Sequence, residues 1–76
     1  MADEQFPAAR ARTWASQFLA AGLPPPVDVQ AGKNGGSAAA AFTINGITET
    51  IEGCGQTESE LVDDVMRQLR HRLGLR

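Results

Sequence analysis

Few residues in this sequence could carry out covalent or metal chemistry. One cysteine, Cys54, and one histidine, His71, stand in a chain of 76 residues. Zinc takes three or four protein ligands, usually Cys or His, so one chain cannot assemble a zinc set from this pair. A Cys54–His71 nucleophile and base would require the end of a strand to meet the far end of the last helix. The segment Gly32-Lys33-Asn34-Gly35-Gly36-Ser37 combines glycine with lysine, yet it lacks the spacing of a phosphate loop and no helix follows it. It reads as a flexible hairpin loop. No catalytic residue, metal ligand or cofactor is assigned, and the chain is read as non-enzymatic.

The chemistry that is concentrated is charge. From Glu49 to Asp64 there are six acids and no base, and from Arg67 to Arg76 four arginines and no acid. An acidic surface can compete for a groove built to hold a phosphate backbone. The candidate protein-binding carboxylates are Glu52, Glu58, Glu60, Asp63 and Asp64. Helix-dipole complementarity is the plainer account of the same order, acids first and bases last. Arg67, Arg70 and Arg72, with Lys33, Arg10 and Arg12, form an alternative nucleic-acid-binding set. Phosphate neutralisation supplies most of the affinity of such proteins, and nine acids against seven bases leave a net charge of −2. Direct nucleic-acid binding is therefore not expected. His71 reads as a surface residue near the negative end of a helix.

These side chains need elements to hold them. Ala11, Trp14, Ala15 and Phe18 recur at helical spacing, with Leu19 widening the stripe, which predicts a helix over 6–21. Residues 1–5 are left outside it as a flexible start. Pro7 suits a first turn, Gly22 a C-terminal cap, and Pro24-Pro25-Pro26 prevent continuation. Val27–Ala31, Ala38–Ile44 and Ile47–Glu52 read as three strands, the last ended by Gly53-Cys54-Gly55. Asn45-Gly46 is a strong hairpin signal, because a type I′ turn needs positive φ at both central residues. Thr57 with Glu60 predicts a capping box, Glu60 reaching back to the Thr57 N–H. Val62, Val65, Met66, Leu69 and Leu73, with Leu61 at the edge, then form the stripe of a second helix ending near Gly74. Asp63 and Arg67 stand at a favourable i, i+4 spacing. The fold class is α+β: one αβββα domain, a three-stranded antiparallel sheet with both helices packed on one face.

A two-residue turn sets the register, with Ile44 opposite Ile47, Phe42 opposite Glu49 and Ala40 opposite Ile51. One face then holds Val27, Val29, Ala31, Ala38, Ala40, Phe42, Ile44, Ile47 and Ile51 beneath the helices. The other holds Asp28, Gln30, Ala39, Ala41, Thr43, Thr48, Thr50 and Glu52 and faces water. It reads as a solvated sheet face, or as a flat docking or dimerisation surface in which Thr43, Thr48 and Thr50 join the protein-binding set. Glu49 falls on the apolar side, so it should reach the rim or find a base among Arg10, Arg12 and Arg67.

The αβββα order resembles the double-stranded RNA-binding domain across nearly the whole chain, and Gly53-Cys54-Gly55-Gln56-Thr57 resembles that family's glycine-bearing approach to its second helix. The resemblance implies a lysine-rich patch opening that helix and a histidine in the loop between the first two strands. Here the corresponding stretches are Thr57-Glu58-Ser59-Glu60-Leu61-Val62-Asp63-Asp64, which repels phosphate, and Gly32–Ser37, which has no histidine. The likeness is one of topology. A sheet platform for base stacking is not expected either, since the open face carries no aromatic residue.

Length and composition bound what remains. Twelve of the apolar residues are alanines, so the core is small and a domain of this size is marginal. There is no basic, apolar leader and no membrane span. The chain reads as cytoplasmic and complete, its composition suiting a GC-rich bacterial or phage genome. In size and character it looks like the phage and mobile-element inhibitors of bacterial defence, anti-CRISPR proteins among them. The expectation is a protein-binding inhibitor or modulator that occludes a nucleic-acid-binding surface on a host protein or complex with a basic surface. A homodimer is a further expectation, and a nucleic-acid-binding module or a phage assembly component the alternatives.

Overall fold

The computed structural model describes residues 2–33 and 35–74, with side chains from Ala9 onward. Their order is α1 (Ala2–Ala20), β1 (Asp28–Ala31), β2 (Ser37–Ile44), β3 (Ile47–Cys54) and α2 (Glu58–Arg72). The sheet is antiparallel in the order β1-β2-β3. The α+β, αβββα architecture read from the sequence is the fold, with the helices against one side of the sheet. No described helix is long and apolar enough to cross a membrane.

α1 begins four residues earlier than the hydrophobic stripe predicts, since Ala2, Glu4 and Gln5 are good helix formers. Pro7 consequently falls in the second turn rather than the first. Met1, Asn34, Leu75 and Arg76, each part of a sequence-based expectation, lie outside the described residues. The C-terminus of α1 is a Schellman cap. Gly22 takes φ 76° and donates to the Leu19 carbonyl, while Leu23 N–H reaches the Phe18 carbonyl at 2.9 Å. This closure folds Leu23 back into the core beside Phe18.

The hairpin forms as its turn residues require. Asn45 and Gly46 take φ 54° and 79°, and the pairs Ile44–Ile47, Phe42–Glu49 and Ala40–Ile51 hold. β3 runs on through Gly53 to Cys54, where the sequence suggested a break. Gly53 is there for packing: a Cβ on it would lie 2.6 Å from Val65 Cγ2 and 3.0 Å from the Leu61 carbonyl oxygen. Gly53 pairs with Ala38, so two of the smallest residues form the seat on which α2 lies close to the sheet.

The core comprises Trp14 and Phe18 of α1, Leu23, Val29, Ala38, Ala40, Phe42 and Ile51 of the sheet side, and Leu61, Val62, Val65, Met66 and Leu69 of α2. Trp14 stacks on Phe18 and Phe18 tilts onto Phe42, with centroids 6.1 Å and 5.4 Å apart. Four residues expected in or beside the core are exposed instead: Leu19, Val27, Ala31 and Ile47. Leu19 lies at the margin of a stripe whose contacts go to β1. Val27 donates to Ala41, the residue already opposite Asp28, so strand alternation lapses there and its side chain turns outward. Ala31 ends the outer strand β1 where the chain turns into the loop. Ile47 lies beyond the last turn of α2.

Candidate functional site

The side of the sheet away from the helices is open. Asp28, Ala39 and Ala41 are half-exposed there, and Gln30, Thr43, Thr48, Thr50 and Glu52 are exposed. Antiparallel sheets tolerate this because the backbone groups are satisfied within the plane while one face packs and the other meets water. Alanines down the middle strand keep the surface flat, and Thr43 and Thr48 form a cross-strand pair. Asp28 accepts from Gln30 Nε2 at 2.8 Å along one margin. The three threonines assigned from sequence therefore share one accessible surface.

The carboxylates grouped by sequence do not share one role. Glu58 is a structural joint between the helices. Its two oxygens take a paired contact from Arg10 at 2.7 and 2.9 Å, and Oε2 also accepts from the fully buried Trp14 through Nε1 at 2.7 Å. Arg10 lies over the Trp14 ring as well. The Arg10 hydrogen bonds hold the Glu58 carboxyl below its ordinary range; partial burial opposes this, and Trp14 adds to it.

Glu60 belongs to the cap of α2. Thr57 Oγ1 accepts from the Glu60 N–H at 3.2 Å, as the capping box requires, but Glu60 Oε1 accepts from Gln56 N–H at 2.7 Å rather than from Thr57. The approach at Gly55 allows that longer reach, for a Cβ there would fall 2.6 Å from that of Glu60.

Asp64 holds the end of β3 by accepting from the Cys54 N–H at 3.0 Å. That bond, aided by Arg67 and Gln68, keeps its carboxyl below the ordinary range against partial burial. Arg67 thus pairs with Asp64, one turn back, and not with Asp63. Asp64 is the carboxylate turned toward the strand end, where it accepts from Cys54, and Arg67 meets it from the solvent side. Glu52 organises the β1–β2 loop: Oε2 accepts from Lys33 N–H at 3.0 Å and from Ser37 Oγ at 3.3 Å. Gly32 makes room for this, as a Cβ there would lie 2.0 Å from Ser37 Oγ.

Glu49 stands half-exposed at the sheet rim, paired with Arg72. None of the three expected bases is its partner, because α2 runs antiparallel to β3 and brings its last turn, not its middle, beside that residue. Of the alternative basic set, Arg67, Arg72 and Arg10 are engaged in ion pairs, while Lys33, Arg70 and Arg12 have no acidic partner among the described residues. Lys33 sits at the loop end of the sheet and Arg70 near the opposite end of α2, so the structure does not gather these cations into one stripe.

Cys54 is exposed. Its position beside Asp64 places it about two helical turns from His71, and no dyad forms.

No family model, curated protein or solved structure matches this chain.

Of the five carboxylates grouped by sequence, Glu52, Glu60 and Asp63 have no ion-pair partner among the described residues, and of these three Glu52 holds a loop and Glu60 the cap. The arrangement offers a smooth Ala/Thr face that carries Asp28 and Glu52, with no buried polar atom of the described side chains unsatisfied.

Proposed function

We propose that this chain is a small non-enzymatic protein-binding module that occludes a nucleic-acid-binding surface on a host protein or complex. In size and polarised character it resembles phage and mobile-element anti-defence proteins of the anti-CRISPR kind. The observation that carries the reading is the open Ala/Thr face of the sheet, left uncovered because both helices occupy the other side. Small side chains let a partner approach the strands closely; Asp28 and Glu52 on that face, with Glu60 and Asp63 on α2 behind it, add negative charge suited to a basic groove. The threonines of the flat face supply the contact area. The carboxylates steer association more than they bind.

The test is a competition assay. Immobilised wild-type chain is used to capture host nucleic-acid-binding complexes, and the effect of added chain on each complex's nucleic-acid binding is followed by gel shift. Wild type should release the nucleic acid, and Thr43→Arg, which places a long cation on the flat face, should not. Asp63→Lys should slow association while leaving the fold intact. A captured complex that retains its nucleic acid in the presence of wild type, or that yields equally to Thr43→Arg, would overturn the reading.

A further inference from the structure

We infer that the chain pairs with a second copy of itself through the free edge of β3, joining two three-stranded sheets into one of six strands. This does not rest on the target reading above.

The edge has a definite pattern of open and occupied groups. β3 is an outer strand of the sheet. The two-residue turn makes Ile44–Ile47 a hydrogen-bonded pair, and Gly55 N–H to the Gly36 carbonyl continues the alternation. Odd-numbered residues of β3 thus bond to β2, and the N–H and C=O groups of Thr48, Thr50, Glu52 and Cys54 point outward. α2 covers one end: Asp64 takes the Cys54 N–H, and Gln68 donates to the Glu52 carbonyl at 2.9 Å. Thr48 and Thr50 keep all four of their main-chain groups open among the described residues.

An antiparallel copy related by a two-fold axis at Glu49 uses those four groups and no occupied one. Thr48 then faces the partner's Thr50 on the flat side of the sheet, a favourable cross-strand pair. On the other side Ile47 faces the partner's Ile51. Ile47 is 63% exposed in the single chain, and the pairing covers it. Its side chain enters a hollow lined by Arg67, Gln68, His71 and Arg72 of the other copy, whose methylene stems offer apolar walls. That hollow lies beside the β3 edge, since Gln68 bonds to Glu52 and Arg72 to Glu49.

The hairpin turn of the second copy falls opposite Glu52 and Gly53, where Gln68 and Asp64 begin to cover the edge. Pairing therefore ends where the edge is occupied. The bodies of the two α2 helices run away from the axis in opposite directions. At the axis the two Glu49 carboxylates meet, each already paired with the Arg72 of its own chain, which offsets their mutual repulsion.

Sedimentation equilibrium should give twice the 8.1 kDa chain mass. Thr50→Pro should return the chain to a monomer with an unchanged far-ultraviolet circular dichroism spectrum, because the lost N–H points away from β2. Ile47→Lys should do the same by filling the hollow with charge, and it serves if the proline variant does not fold. Register is read by cross-linking: Glu49→Cys in a Cys54→Ser background should form an intermolecular disulfide with oxidised glutathione. The facing Cα atoms of a non-hydrogen-bonded pair are about 4.5 Å apart, within disulfide reach. Thr43→Cys in the same background should not cross-link. A wild-type chain that stays monomeric at millimolar concentration overturns the proposal. So does a dimer that survives both Thr50→Pro and Ile47→Lys, or one that fails to cross-link at position 49.

Discussion

Glu58 meets Arg10 and Trp14 across 48 and 44 positions of sequence, so one carboxylate ties the first turn of α2 to the body of α1. Charge-assisted hydrogen bonds of this kind are stronger than neutral ones, although partial exposure screens the ion pair. Replacing Glu58 with Gln removes the charge and leaves the Trp14 N–H a poorer acceptor, and should cost about 1–2 kcal/mol in urea unfolding. The same residue sets an acid limit. Its carboxyl takes a proton near 4.5 when unfolded and at lower pH when folded, and Asp64 behaves likewise below 3.8. Between those values the unfolded chain holds more protons, so stability declines as pH falls through that window and the loss is complete below the folded values. The decline in urea midpoint between neutral pH and strong acid should be shallower in Glu58→Gln. A variant with the wild-type slope would show that the joint is not ionic.

At the scale of elements, α2 is positioned by what is absent from β3 as much as by what it contains. Gly53 and Gly55 leave space for Val65 and Glu60, and Asp64, Gln68 and Arg72, one per turn, follow the strand edge. Gly53→Ala forces a methyl group against Val65 and the Leu61 carbonyl, and should destabilise by about 2 kcal/mol, the usual penalty of an overpacked core. Loss of the cap through Thr57→Ala should cost about 1 kcal/mol. Both are measured by thermal or urea denaturation. If Gly53→Ala proved neutral, α2 would have to sit farther from the sheet than the 2.6 Å approach of Val65 to that Cβ position requires.

For the molecule as a whole, a described core whose aromatic residues are Trp14, Phe18 and Phe42 leaves little reserve. Phe42 is fully buried against Phe18, and Phe42→Ala should cost about 3–5 kcal/mol. A domain of this length has total stability on the order of 4–11 kcal/mol, so that single change should remove about a third or more of it, read as a large fall in the urea midpoint by circular dichroism. Thr43→Arg, on the other side of the same strand, should move stability by less than about 0.5 kcal/mol. A two-sided strand that separates stability from surface chemistry would be seen directly in that contrast. An equal loss from both substitutions would mean that the flat face is not open.

Local pattern by itself determined the order of the elements, the hairpin register, the threonine face and the two ends of α2, because each depends on neighbours a few residues away; the start of α1 and the end of β3 lay beyond it. Asn45-Gly46 needs only its own φ preferences, and the period of Val62, Val65, Met66 and Leu69 needs only a helix. Proximity in sequence was a poorer guide to the charges. Six acids crowd a short stretch, yet Glu58 faces α1, Glu60 the cap, Asp64 the strand edge and Glu52 the first loop, because a helix and a strand distribute successive residues around their axes. Which base reaches Glu49, why Gly53 stands in a strand, and why Ile47 remains outside the core were decided only when α2 was laid antiparallel on β3. Tertiary packing selects among many near-equal surface pairings, and no single-chain periodicity encodes that choice.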